Sequence, residues 1–201
     1  MAVKLNKTRI RDSKIILIST IIVSAISASL FPDETSLHDL FDQLGYLLIS
    51  ICVVGRVYAT AFLGGFKNDK LITVGPFSVV RNPLYTFSLI GVLGIGLMSS
   101  HLTAMILLPV SFVLMYHSLI KREEEFLTEK FGDEYLAYCK RTPRLIPNFK
   151  LYHAPDTVSM APKYLNKALA DSCFWLAIFP VIELFEQLQD LGYLKPLFFL
   201  P

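Results

Sequence analysis

The sequence predicts an all-α integral membrane protein of about five transmembrane helices, and three observations predict it. Hydrophobic residues fill 53% of the 201 positions, mean hydropathy is +0.50, and only 18% of residues are charged. Soluble domains carry about 25% charged residues. The apolar residues fall in uncharged runs near the length that crosses a hydrocarbon core of about 30 Å. Lys and Arg, finally, collect in alternate connecting segments. One membrane domain over 1–201 follows.

The first run, 15–31, is free of charge, and no small-x-small cleavage site precedes the acidic Pro32-Asp33-Glu34, so it reads as a span. The second, 44–63, is interrupted by Arg56. That guanidinium either snorkels to the surface, lines a polar cavity or pairs with a carboxylate. The third, 84–98, turns at His101 into the fourth, 102–120, which carries His117 near its end. The fifth starts at Ser172 and runs to about residue 188, with Pro180, Glu183 and Glu186 within or beside it.

Orientation follows the positive charges. Lys4, Lys7, Arg9, Arg11 and Lys14 precede the first span; Lys67, Lys70 and Arg81 lie between the second and third; most others lie between the fourth and fifth. Asp33, Glu34, Asp39 and Asp42 occupy the opposite side. The N-terminus is thus expected in the cytoplasm of a multi-pass protein, with 64–83 and 121–170 as its cytoplasmic segments. The net charge of +2 gives no reason to expect a nucleic-acid partner. Cys52, Cys139 and Cys173 are widely spaced, form no zinc-ligand pattern with the histidines and imply no disulfide.

Two cytoplasmic segments are unlike ordinary membrane loops. In 64–85, glycines permit close backbone approach, and Asn82 before Pro83 places a helix start at about Pro83. Helix starts leave amides for a carboxylate or other polar group, although a ligand-free interfacial turn fits equally. In 122–138, Glu124, Leu127, Phe131, Tyr135 and Tyr138 share one face of a helix; Glu123 flanks that stripe and Glu125 faces solvent. Two carboxylates beside an apolar face call for a bound cation, or for pairing with Lys121, Arg122 or Arg141. Arg141-Thr142-Pro143-Arg144 then makes a rigid basic turn.

In order along the chain stand Gly75-Pro76-Phe77, Arg81-Asn82-Pro83-Leu84-Tyr85, Glu123-Glu124, Phe131-Gly132-x-Glu134-Tyr135-x-x-Tyr138 and Pro143-Arg144-x-x-Pro147. This pattern resembles the isoprenylcysteine carboxyl methyltransferase family, its small prokaryotic members above all, and is related to that of phospholipid N-methyltransferases. The resemblance covers about 44–147. It implies a prokaryotic inner-membrane enzyme that takes S-adenosylmethionine from the cytoplasm. The methyl group passes to a lipophilic small molecule, lipidated acceptor or membrane lipid.

It also implies where the cofactor binds: a site formed by loops and a C-terminal amphipathic helix. The segment that closes over the cofactor corresponds to 69–72, which gives Lys70, Leu71 and Ile72. The motif residues are Phe77, Asn82, Pro83, Leu84 and Tyr85, and the carboxylate pair is Glu123 and Glu124. Asn82 stands where eukaryotic members have His, Phe77 where Tyr is usual, and Leu119 where those relatives carry an arginine near the acceptor. Arg81 and Arg144 are the candidate catalytic residues, available with Arg141 to hold an anionic acceptor. Gly91, Gly94 and Gly96 of the third span are similar to a glycine motif of the phospholipid enzymes, but close helix packing is the favoured role.

A sulfonium methyl group is already activated, so alignment of donor and acceptor is the main task, worth about 7–11 kcal/mol, together with exclusion of water. Glu123 and Glu124 suit the cofactor's ammonium or hydroxyls, and amides near Asn82 and Tyr85 its carboxylate. Phe77 and Tyr85 offer aromatic contact to adenine or sulfonium. The rival readings are a non-catalytic membrane binding or scaffold protein, a phospholipid N-methyltransferase and a small transporter; no internal repeat supports the last.

Overall fold

The computed structural model describes residues 27–28, 36–64, 69–99, 102–193 and 198–199. The expected first span, 15–31, therefore lies outside the described residues except for Ser27 and Ala28, as do the basic N-terminal segment, Lys67 and His101. Ser27–Ala28 (β1) pairs in parallel with Phe198–Phe199 (β2), Ser27 opposite Phe198. Every other regular element among the described residues is helical.

Helix α1, Ser36–Leu63, is 28 residues long. A short α2, Pro76–Val79, precedes α3, Pro83–Met98. Helix α4, Leu102–Phe131, has 30 residues, and α5 spans Asp133–Arg141. After a 3-10 turn at Phe149–Leu151 come α6, Pro162–Leu176, and α7, Ile178–Asp190. Three stretches, Ser36–Leu63, Leu102–Phe131 and Pro162–Phe185, are long and apolar enough to cross a bilayer; α3 is apolar but shorter. Val54 and Leu114, each more than two-thirds exposed, give α1 and α4 the outward apolar surface of lipid-facing helices. This is an all-α membrane protein.

Helix α3 is the central strut, packed against α1, α4 and α7. Pro83 opens it because the ring presets φ and the missing N–H is one that no helix start could bond. On one side Tyr85 and Val92 pack with Phe112, Tyr116 and Ile120 of α4. On another, Ile95 and Met98 pack with Ile49 of α1 and Ile178 and Ile182 of α7. The crossing of α1 and α3 depends on Gly45 and Gly94. A Cβ on Gly94 would stand 2.7 Å from the carbonyl oxygen of Gly45, and one on Gly45 the same distance from that of Gly94. Gly91 likewise leaves no room for a Cβ beside Cys52 and Trp175, and a Cβ on Gly96 would crowd the backbone of Met105 at 3.1 Å. The glycines of α3 serve packing.

Three local readings of the sequence change. The run 102–120 and the amphipathic stretch after it form one unbroken helix, α4, so no turn separates the span from its carboxylates. The stripe over 122–138 is instead divided at Gly132, whose φ of 52° lies in the left-handed region that stops a helix. The last apolar run belongs to two helices: α6 begins at Pro162, and the chain breaks at Ala177 before α7. Pro180 explains that break, since it lacks an N–H and its ring clashes with the carbonyl four residues earlier, at Leu176.

Arg56 is tied into the bundle and does not snorkel free. Its Nη1 donates to Ser88 Oγ of α3, and its guanidinium lies 5.8 Å from the ring centre of Trp175 in α6. His117 is exposed on α4.

Candidate functional site

The junction at Asn82 organises the site. Asn82 is outside the helix, at φ −123° and ψ 58°, and its carbonyl accepts the amides of Tyr85 and Thr86, each at 3.0 Å. Of the amides near Asn82 and Tyr85 expected to meet a ligand carboxylate, those of Tyr85 and Thr86 are already used within the first turn. The Asn82 side chain turns the other way. Its Nδ2 donates to the Arg144 carbonyl at 3.2 Å and reaches Glu124 Oε1 at 3.4 Å.

A strap over 142–153 fixes the loop before Asn82. The amides of Arg81 and Asn148 donate to the carbonyls of Pro143 and Val79, at 2.8 and 2.9 Å. Gly75 N donates to the His153 carbonyl at 2.7 Å, and His153 N to Ser78 Oγ at 3.2 Å. Tyr138 of α5 adds a bond from its hydroxyl to the Phe77 carbonyl, 2.6 Å. Irregular backbone is thus held in one shape by paired polar groups.

The two carboxylates at the end of α4 have separate tasks. Glu123 Oε2 accepts the Tyr85 hydroxyl at 2.9 Å. Glu124 is gripped by two guanidiniums: Arg144 meets it through Nη2 at 2.9 Å and Nε at 3.2 Å, and Arg81 Nη1 lies 3.2 Å away. At Glu124 these partners stand in place of Lys121, Arg122 and Arg141, and Glu125 is exposed as expected. Arg81 Nη1 also donates to Cys139 Sγ at 2.9 Å, while its buried Nε has no partner. Burial opposes the charge on Arg81, but Glu124 and Cys139 carry its pKa above the ordinary value. Two guanidiniums on one carboxylate leave a positive excess behind the cleft.

The cleft itself encloses about 670 Å³, its open mouth included. Lys70, Leu71, Ile72, Phe77, Arg81, Asn82, Pro83, Leu84, Tyr85 and Glu123 all line it, so the sequence candidates from three separate segments converge. Glu124 and Arg144 do not line it; they stand behind Asn82 and Arg81 as a brace. Leu63, Leu127, Tyr135 and Tyr138 complete the walls. The last three belong to the apolar stripe legible in the sequence, whereas nothing local marks Leu63. Burial, above all, raises the pKa of both Tyr135 and Tyr138, so these two phenols stay neutral.

A phospholipid methyltransferase family model matches residues 44–134, which include the whole of α3 and the carboxylates of α4. The chain is 36% identical over 163 residues to the cobalt-zinc-cadmium resistance protein CzcN of Cupriavidus metallidurans, covering 81% of this chain and 75% of that protein. To the nickel-cobalt-cadmium resistance protein NccN of Alcaligenes xylosoxydans xylosoxydans it is 28% identical over 186 residues, 92% of this chain and 87% of the other. A 107-residue stretch is 31% identical to the protein-S-isoprenylcysteine O-methyltransferase of Schizosaccharomyces pombe, covering 52% of this chain and 45% of that enzyme. No solved structure matches the chain.

Helical bundle, family model and relatives together define the class: a membrane methyltransferase. Within it, the chain belongs to the isoprenylcysteine methyltransferase-like family.

Proposed function

We propose that this protein transfers a methyl group from S-adenosylmethionine to a lipophilic acceptor drawn from the membrane. The observation that carries the reading is the convergence of Lys70 to Ile72, Phe77 to Tyr85 and Glu123 on one cleft at the end of an apolar bundle. It holds both apolar walls and opposite charges, the mix that small-molecule sites use. Bound there, S-adenosylmethionine supplies an electrophilic methyl group on a sulfonium.

The chain's own residues supply binding and alignment. Glu123, held by the Tyr85 hydroxyl, attracts an ammonium or accepts ribose hydroxyls. The unpartnered Nε and positive excess of Arg81 suit a carboxylate. Phe77 and the neutral Tyr135 and Tyr138 make an aromatic wall for adenine and sulfonium. Leu63, Leu71 and Leu127 keep water from the transferring methyl. Glu124 and Arg144 position Asn82 and Arg81 rather than touch the ligand. The charge distribution supports a multi-pass arrangement with the N-terminus and this cleft on the cytoplasmic side, and the family resemblance supports an inner membrane. Resistance to metals, in the names of two relatives, is a property of those proteins and does not identify the acceptor.

Calorimetry on the detergent-purified full chain tests the proposal. Saturable binding of S-adenosylmethionine is expected, and folded protein that binds none at millimolar concentration overturns it.

A further inference from the structure

Arg56 lies seven residues before the end of α1, about 10 Å below it at 1.5 Å per residue, within the apolar part of the bundle. Its Nη1 donates to Ser88 Oγ, and Ser88 Oγ in turn donates to the Leu84 carbonyl at 2.8 Å. Leu84 lines the cleft. Arg56, Ser88 and Leu84 thus form a continuous polar path from the bundle interior to the cleft wall. Trp175 holds the guanidinium from the third side, at 5.8 Å. Three helices, α1, α3 and α6, converge on this one charge.

An ionisable side chain at that depth is costly, and inside a bundle it marks a ligand or ion site. A guanidinium offers a rigid fork of donors that matches carboxylate and phosphate. Facing an ammonium head group, the same charge repels. The position is also specific, because Arg56 stands one layer nearer the apolar interior than Tyr85 and Leu84. A lipid whose tail lies in the bundle and whose polar end reaches the cleft must pass its head at that level.

We infer that Arg56, oriented by Ser88 and Trp175, binds the acidic head group, carboxylate or phosphate, of a long-chain amphiphile. The assignment deepens the function proposed above and rests on it only in taking this amphiphile as the methyl acceptor. It selects acidic lipids and rejects amines.

Trp175 is the single tryptophan of the chain and lies against Arg56, so its emission reports on the site. The full chain in an uncharged maltoside detergent is titrated with oleate, dioleoyl phosphatidic acid, oleyl alcohol and oleylamine. At least one of the two acids is expected to perturb Trp175 at tenfold or more lower concentration than the alcohol or the amine. The tighter acid identifies the head group. Arg56→Gln should erase that preference, and Arg56→Lys, which keeps the charge without the fork, should retain part of it. Equal response to acids and alcohol in the unaltered protein overturns the inference, with no dependence on how the variants fold. So does an acid preference that survives in Arg56→Gln. Calorimetry with S-adenosylmethionine on the same samples separates the two claims. Cofactor binding without acid preference removes the Arg56 site alone; acid preference without cofactor binding removes the methyltransferase reading alone.

Discussion

Arg144 and Glu124 form a two-pronged ion pair, Nη2 to Oε2 at 2.9 Å and Nε to Oε1 at 3.2 Å, across 20 residues of sequence. Arg81 closes on the same carboxylate at 3.2 Å, so a group that flanks the cleft and one that does not share a single anion. The adjacent Glu123 has a different partner, Tyr85. Under the proposed function, the neighbouring carboxylates therefore divide structure from binding.

Glu124→Ala should lower stability and Glu123→Gln should not. The first leaves two partly buried guanidiniums without their anion, a loss of about 1–3 kcal/mol once their partial exposure is allowed for. Thermal denaturation in detergent reads it as a lower Tm. The second keeps an oxygen for the Tyr85 hydroxyl but removes the charge, and S-adenosylmethionine affinity should fall about tenfold, as expected for one charge-assisted hydrogen bond. Equal Tm losses in the two variants would contradict the division.

Gly94→Ala should destabilise through space and Gly132→Ala through backbone angle. At Gly94 the added methyl meets the Gly45 carbonyl, which is backbone and cannot swing aside. The cost of such overpacking is about 1–3 kcal/mol. At Gly132 nothing lies within 4 Å of an added Cβ, but φ is +52°, a conformation that costs an L-residue about 1–2 kcal/mol. The two sites share no contacts, so a double variant should lose the sum; Tm measured on all three proteins tests additivity.

Alkaline pH should loosen the cleft. Burial holds the phenols of Tyr135 and Tyr138 neutral to higher pH than the ordinary tyrosine value of about 10. With the folded pKa above the unfolded one, their contribution is fully present below about pH 10 and is lost as pH rises toward the folded value. Tm followed from pH 7 to 11 should accordingly show a decline above about 10, reduced in the Tyr135→Phe, Tyr138→Phe double variant. That variant should also carry a pH-independent loss of about 1 kcal/mol, because Tyr138 no longer donates to the Phe77 carbonyl.

What the sequence made legible is local. Asn82-Pro83 announces a helix start because proline constrains both its own residue and the one before, and α3 begins there. The spacing of Leu127, Tyr135 and Tyr138 marks a common face, and all three line the cleft despite the break at Gly132 between them. The break itself was hidden, since glycine permits a left-handed angle without requiring it. The partners of Glu124 were hidden for another reason: Arg81 is 43 residues away and meets it only after α3 and α4 have packed. Charge near in sequence, on Lys121 and Arg122, was no guide to charge near in space. Arg56 stood out as an anomaly in an apolar run, yet Ser88 and Trp175 come from helices whose packing no periodicity specifies.

The unbroken course of α4 has a mechanical consequence. Thirty residues make a rod of about 45 Å, longer than a hydrocarbon core of about 30 Å. Its far end carries Glu123 and Glu124, and beyond Pro109 neither proline nor glycine interrupts the helix before them. A bilayer that thins or thickens changes the tilt of such a rod, and the displacement is largest at the end that projects. The carboxylates would then move relative to Tyr85 and Arg81, making membrane thickness itself an input to the shape of the cleft.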